Sequence, residues 1–180
     1  MQTTIQIGPA TALREVLEIY PGAQRALFKR YHIGGCSSCA FRPEETLAEL
    51  CARNGNINVD EMIEHLKTSQ EQDEQMQMTP AELSEKLSSG IKLLDIRTRE
   101  EWDAVRIEGS VRMSQETMQE ILGKWPREST LVIYDHTGKG ALDAAAFFQG
   151  HGFKDVRCLR GGIDAWAREV DPKMPRYRLE

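Results

Sequence analysis

Through the first part of the chain, apolar residues recur at helical spacing. Leu13, Val16, Leu17 and Tyr20 line one face of the stretch 11–20 and predict a helix. A second helix follows Pro21 through Ala26, Leu27 and Phe28, and Gly34-Gly35 is expected to break it. Glu44 to Arg53 carries Leu47, Leu50 and Cys51 and should stop at Asn54-Gly55. Val59 to Lys67 carries Val59, Met62, Ile63 and Leu66. Helices this short, over about 65 residues, suit a small all-α domain with a modest core.

Beyond residue 90 the pattern changes. Ile91–Ile96, Thr130–Tyr134 and Asp155–Leu159 read as strands, and the second of these is apolar enough to be buried on both faces. Helical stretches lie among and after them at 99–105, 114–122, 141–151 and 163–169. This alternation predicts an α/β domain with a mainly parallel sheet covered by helices on both faces. In such sheets functional groups gather at the carboxyl ends of strands, which points to Asp95-Ile96-Arg97 and to Asp135 onward. Between the two patterns, Thr68–Pro80 is rich in Gln and acids and has no aromatic or branched aliphatic residue. It reads as a linker or as the solvated end of a helix. Thr79-Pro80-Ala81-Glu82 then combines an N-cap, a proline at the first helical position and a capping-box glutamate. The expected organisation is a helical domain over 1–67, a polar segment over 68–78 and an α/β domain over 79–180.

Composition narrows the function. Twenty-three basic against 28 acidic residues give a net charge of −5. No basic excess is available to displace phosphate counterions, so nucleic acid is not an expected partner. No apolar run has the length of a membrane span, and the opening residues lack the basic start and apolar stretch of a signal peptide. A cytoplasmic protein with no membrane partner is the expectation. In a reducing compartment its four cysteines do not form a disulfide scaffold, and the pair Cys36-Ser-Ser-Cys39 reads as redox, metal or sulfur chemistry.

Several landmarks follow in order: Leu94-Asp95-Ile96-Arg97 with Glu100-Glu101-Trp102; Arg106-Ile107-Glu108-Gly109-Ser110; Tyr134-Asp135-His136-Thr137-Gly138; and Leu159-Arg160-Gly161-Gly162-Ile163 with Ala165-Trp166. Together, over about residues 79–170, they resemble a rhodanese homology domain. The resemblance implies a sulfurtransferase-type loop after the central strand, whose backbone N–H groups and following helix favour a cysteine thiolate. Such a thiolate takes sulfane sulfur as a persulfide and passes it on. Here the loop reads Asp135-His136-Thr137-Gly138-Lys139-Gly140. Gly138 and the loop length fit, but Asp135 stands where the family has cysteine and Gly140 where it has arginine. A carboxylate cannot carry a persulfide, so the expectation is a pseudo-active site whose cradle is filled by its own anion. Asp95 and Arg97 are expected to pair beside the loop, Trp166 and Cys158 to be buried, and His136 to be an idle loop histidine or an anion contact.

The other chemical feature is Tyr31-His32-Ile33-Gly34-Gly35-Cys36-Ser37-Ser38-Cys39. A helix starting near Ser37 or Ser38 would lower the pKa of Cys36, with Cys39 as resolving thiol. With Tyr20-Pro21 upstream and Thr46-Leu47 downstream, residues 9–67 are similar to a small helical family of disulfide carriers associated with hybrid-cluster proteins. That resemblance implies thiol, disulfide or persulfide handling by Cys36 and Cys39, with a sulfur donor or acceptor protein or a thiol redox partner. Two alternatives stay open: a metal site built from His32, Cys36, Cys39 and Cys51, and a pair of reduced thiols without chemistry. The favoured reading needs neither cofactor nor metal.

Overall fold

The computed structural model describes residues 7–34 and 42–177. Two compact units divide the chain, at Gln75 and Met76.

The first unit is helical: α1 (Leu13–Ile19), α2 (Ala23–Tyr31), α3 (Leu47–Arg53) and α4 (Val59–Met76), the last with only Met76 beyond the division. Their apolar faces converge on one core, in which Leu13, Leu27, Leu47, Leu50 and Met62 are fully buried. Each such side chain is worth about 1.5–3 kcal/mol of transfer free energy, so the small core must be well filled. α3 begins on a capping box, with Thr46 and Glu49 satisfying each other's backbone N–H groups. Just before it the chain lies against residues 9–13: Ala12 bridges Thr46, and the Leu13 N–H donates to the Glu45 carbonyl at 2.8 Å. Two expectations change. α2 closes at His32, in the left-handed conformation at φ 56°, before the glycines are reached. The polar segment is helical as far as Met76, the second of the two readings its composition allowed. Within it Asp73 is buried and paired with Arg25 at 2.5 Å, and Met76 packs against the core of the second unit.

The second unit holds a five-stranded sheet of β1 (Gln77–Met78), β2 (Lys92–Asp95), β3 (Ser110–Arg112), β4 (Thr130–Tyr134) and β5 (Asp155–Leu159), in the order β1-β5-β4-β2-β3 with every pairing parallel. The helices are α5 (Pro80–Lys86), α6 (Arg99–Ala104), α7 (Gln115–Lys124), α8 (Lys139–Gly150) and α9 (Gly162–Glu169). The period-2 geometry of strands splits their apolar residues between two faces. Leu94, Leu131, Ile133, Val156 and Cys158 join Ile121 of α7 and Leu142, Ala145 and Phe148 of α8. Leu93, Val132, Tyr134 and Leu159 join Leu83 of α5 and Ile163 and Trp166 of α9. Trp166 is core, as its position after the glycine pair led us to expect. The sequence pattern did not reveal β1 and β3, two- and three-residue edge strands too short to show an alternation.

Candidate functional site

The loop leaving β4 sits at the carboxyl end of the central strand. Asp135 turns its carboxylate back into the loop: the N–H of Gly138 donates to Oδ1, and the N–H of Gly140 donates to Oδ2 at 2.6 Å. Gly138 adopts φ 89° and caps α8, so the chain reverses at once from strand into helix and the first N–H groups of the helix face the carboxylate. The backbone of Gly161-Gly162 closes the loop from below. Ile163 N–H donates to the Asp135 carbonyl at 2.9 Å and Asp164 N–H to the His136 carbonyl at 3.2 Å. A Cβ on Gly162 would lie 2.5 Å from the Asp135 oxygen, and one on Gly138 would lie 2.9 Å from Gly161 N. Glycine is required at both positions because two backbones touch here.

Thr137 and Lys139 are exposed on the loop rim, and Gly140 lies against the carboxylate. His136 is half-buried, its Nδ1 is buried with no hydrogen-bond partner among the described residues, and its ring lies 4.6 Å from the ring of Tyr177. Asp95 and Arg97 form a buried pair beside the loop. The guanidinium Nε and one terminal nitrogen donate to the carboxylate at 2.5–3.0 Å, and the Arg97 N–H donates to Oδ1 at 2.9 Å. Burial opposes the Arg97 charge, but the Asp95 hydrogen bonds and charge overcome it and hold its pKa above the usual arginine value.

Arg97 has two further partners: it donates to the Val105 carbonyl at 2.7 Å and to the Tyr177 hydroxyl at 2.7 Å. That hydroxyl donates onward to Glu101 at 2.7 Å. Burial and the Glu101 hydrogen bond push the Tyr177 phenol up to about 12. Tyr177 is a site residue that sequence reasoning missed, since it lies outside every landmark. Tyr134 ends a strand and opens the loop landmark in the sequence, but neither gives its hydroxyl a task; that hydroxyl pins the 107–110 turn, bonding Ser110 at 2.9 Å and accepting from Ile107 N–H at 3.3 Å.

Placed against proteins of known family, residues 79–169 match the rhodanese-like domain, half of the chain. The chain belongs to the rhodanese-like family. Similar relatives include the probable adenylyltransferase/sulfurtransferase MoeZ of Mycobacterium tuberculosis, 39% identical over 104 residues, covering 56% of this chain and 26% of that protein. The thiosulfate sulfurtransferase GlpE of Pseudomonas savastanoi is 29% identical over 77 residues, covering 43% of this chain and 73% of that one. Among solved structures, the human single-domain sulfurtransferase TSTD1 is 25% identical with a TM-score of 0.47, covering 52% of this chain and 96% of that one. The chain thus spans about a quarter of the length of MoeZ, and the rhodanese-like match leaves the helical unit outside it.

Cys158, expected to be buried, is 1% exposed in β5 with its thiol directed at the Ala141 carbonyl at 3.2 Å. In the helical unit, Cys36 and Cys39 lie outside the described residues. Their flanks are held: Ile33 is buried, and Glu45 takes two hydrogen bonds from Arg53 at 2.7 and 2.8 Å. Cys51 is buried with its thiol against Met62 Sδ at 3.4 Å, and burial pushes its pKa up. His32 is exposed. Among the described residues no group of three or more His, Cys, Asp or Glu is arranged to hold a metal ion, and no helix is long and apolar enough to cross a membrane.

Proposed function

We propose that this protein handles sulfur or thiols through Cys36 and Cys39, and that its rhodanese-like domain has given up the covalent step. The observation that carries the second half is the Asp135 carboxylate, bonded to the N–H groups of Gly138 and Gly140. By the family pattern those amides serve a sulfur anion, and here an oxygen anion of the chain itself takes their hydrogen bonds. Carboxylate oxygen is not a polarizable nucleophile for sulfane sulfur, so no persulfide forms at this loop.

The first half rests on the Cys36-Ser-Ser-Cys39 spacing, which allows the two sulfurs to reach each other. It also draws on the family, since the relatives MoeZ and GlpE carry sulfurtransferase names. In this reading Cys36 attacks as the thiolate and displaces a donor thiolate, or enters a disulfide that Cys39 resolves. The partner is a sulfur donor or acceptor protein, or a thiol redox protein.

Intact-mass analysis and peptide mapping after incubation with a persulfide donor test this. Added sulfur should appear on Cys36 or Cys39 and vanish in Cys36→Ser with Cys39→Ser. No sulfur on any peptide would favour a non-catalytic binding module instead, and stoichiometric zinc or iron lost on Cys36→Ser would replace the relay with a metal site.

A further inference from the structure

After α9 the chain makes a turn, closed by the Met174 N–H on the Asp171 carbonyl at 3.0 Å, and residues 175–177 then cross the rim of the Asp135 loop. Pro172, Lys173, Pro175 and Arg176 are exposed, so the segment is held mainly by what its side chains reach. Arg176 donates to Asp164 of α9 at 2.9 Å. Tyr177 lays its ring on His136 and places its hydroxyl between Arg97 and Glu101.

The groups that receive Tyr177 are fixed without it. Arg97 is oriented by Asp95 and by the Val105 carbonyl, which leaves one terminal nitrogen for the phenol. Glu101 commits Oε2 to the N–H and hydroxyl of Thr98 in the capping box of α6, which leaves Oε1. One free donor and one free acceptor therefore face the same point, held ready for a group that both accepts and donates a hydrogen bond. A phenol or alcohol meets that demand and a phenylalanine does not. Beside it His136 offers a ring face and Asp164 a carboxylate, while Val105, Ile163 and Ala167 line a gap next to Pro175.

We propose that this cleft is a peptide-binding site that reads an Arg-Tyr pair, and that Arg176-Tyr177 of this chain is its resident ligand. Because the reading groups are preorganised, an outside segment of the same chemistry binds once the tail leaves. The tethered tail competes at an effective concentration on the order of millimolar, which sets the threshold such a segment must exceed. This site is independent of the cysteine chemistry proposed above.

The test is a titration of a fluorescent, amidated peptide corresponding to residues 171–177 against two full-length proteins. In the doubly substituted chain, Arg176→Ala with Tyr177→Ala, the tail no longer competes and the peptide should bind saturably. The unsubstituted chain should bind it more weakly, by a factor of one plus the ratio of the millimolar effective concentration to the dissociation constant measured for the open protein, and a peptide carrying Tyr177→Ala should bind neither. A chain ending at Asp171 is the second open-cleft protein, should the substituted one fail to fold. Equal affinity for open and tail-filled proteins, or no saturable binding to an open-cleft protein with native circular dichroism, would overturn the proposal.

Discussion

At position 135 the choice between oxygen and sulfur decides what the loop can do. We expect the unsubstituted protein not to transfer sulfur from thiosulfate to cyanide at this loop. Asp135→Cys should bring back partial activity, since the same amides then face a thiolate. Adding Gly140→Arg should raise the rate further by holding the anionic donor. That second change suits only the Cys variant, because a Cβ at Gly140 stands 3.0 Å from Asp135 Oδ2. Thiosulfate turnover by the unsubstituted chain that survives loss of Cys36 and Cys39 would contradict this. Thiol labelling of the native protein should reach Cys36 and Cys39 and spare Cys51 and Cys158, both buried; rapid native labelling of Cys158 would be the contrary result. Glu101 gives a pH dependence. Burial opposes its ionisation, but hydrogen bonds from Tyr177 and Thr98 outweigh it and hold the carboxyl below its ordinary value of 4.5. Its stabilisation is therefore complete above that value and is lost as pH falls through the lower folded one. Glu101→Gln should flatten the acid limb of the stability profile below pH 4.5; an unchanged limb would remove Glu101 from the account.

Single elements show why some signals were readable and others were not. The capping boxes at Thr79–Glu82, Thr98–Glu101 and Thr46–Glu49 are local, three residues from cap to partner. Of these, Thr79–Glu82 stood out in the sequence because a proline lies between its members. Thr79→Ala should cost about 1 kcal/mol by loss of that cap, measured as a lowered denaturation midpoint with unchanged slope. Gly162 is different in kind. Its place in the Leu159–Ile163 landmark is visible, but the reason for glycine is a second backbone, that of the Asp135 loop, 2.5 Å from where a Cβ would stand. Gly162→Ala should destabilise by about 1–3 kcal/mol, because the residue also sits at φ 60°. A midpoint equal to that of the unsubstituted protein would mean that the contact relaxes freely.

For the whole molecule, the two units have separate cores, and the three tryptophans, Trp102, Trp125 and Trp166, all belong to the second. Leu66→Ala empties a site in the helical core and should remove about 2–5 kcal/mol there. The loss should show as an earlier far-ultraviolet transition with little change in tryptophan fluorescence; equal shifts in both signals would mean the units unfold as one. Local pattern alone determined the two halves, the parallel sheet and the burial of Leu131–Tyr134, because helical spacing and a continuous apolar run among helices are local properties that water sorts in the same way in any fold. The motif order carried the family, and Asp95-x-Arg97 could be expected to pair because its members are two residues apart. Tertiary structure alone decided that Tyr177, 80 residues from Arg97, completes the cluster, that Tyr134 pins the 107–110 turn, and that Gly161-Gly162 floors the loop. Those contacts join strand ends, a turn and the segment after α9, all distant in sequence. Only the closing of β4 between β2 and β5 brings them together, and no local pattern encodes that distance.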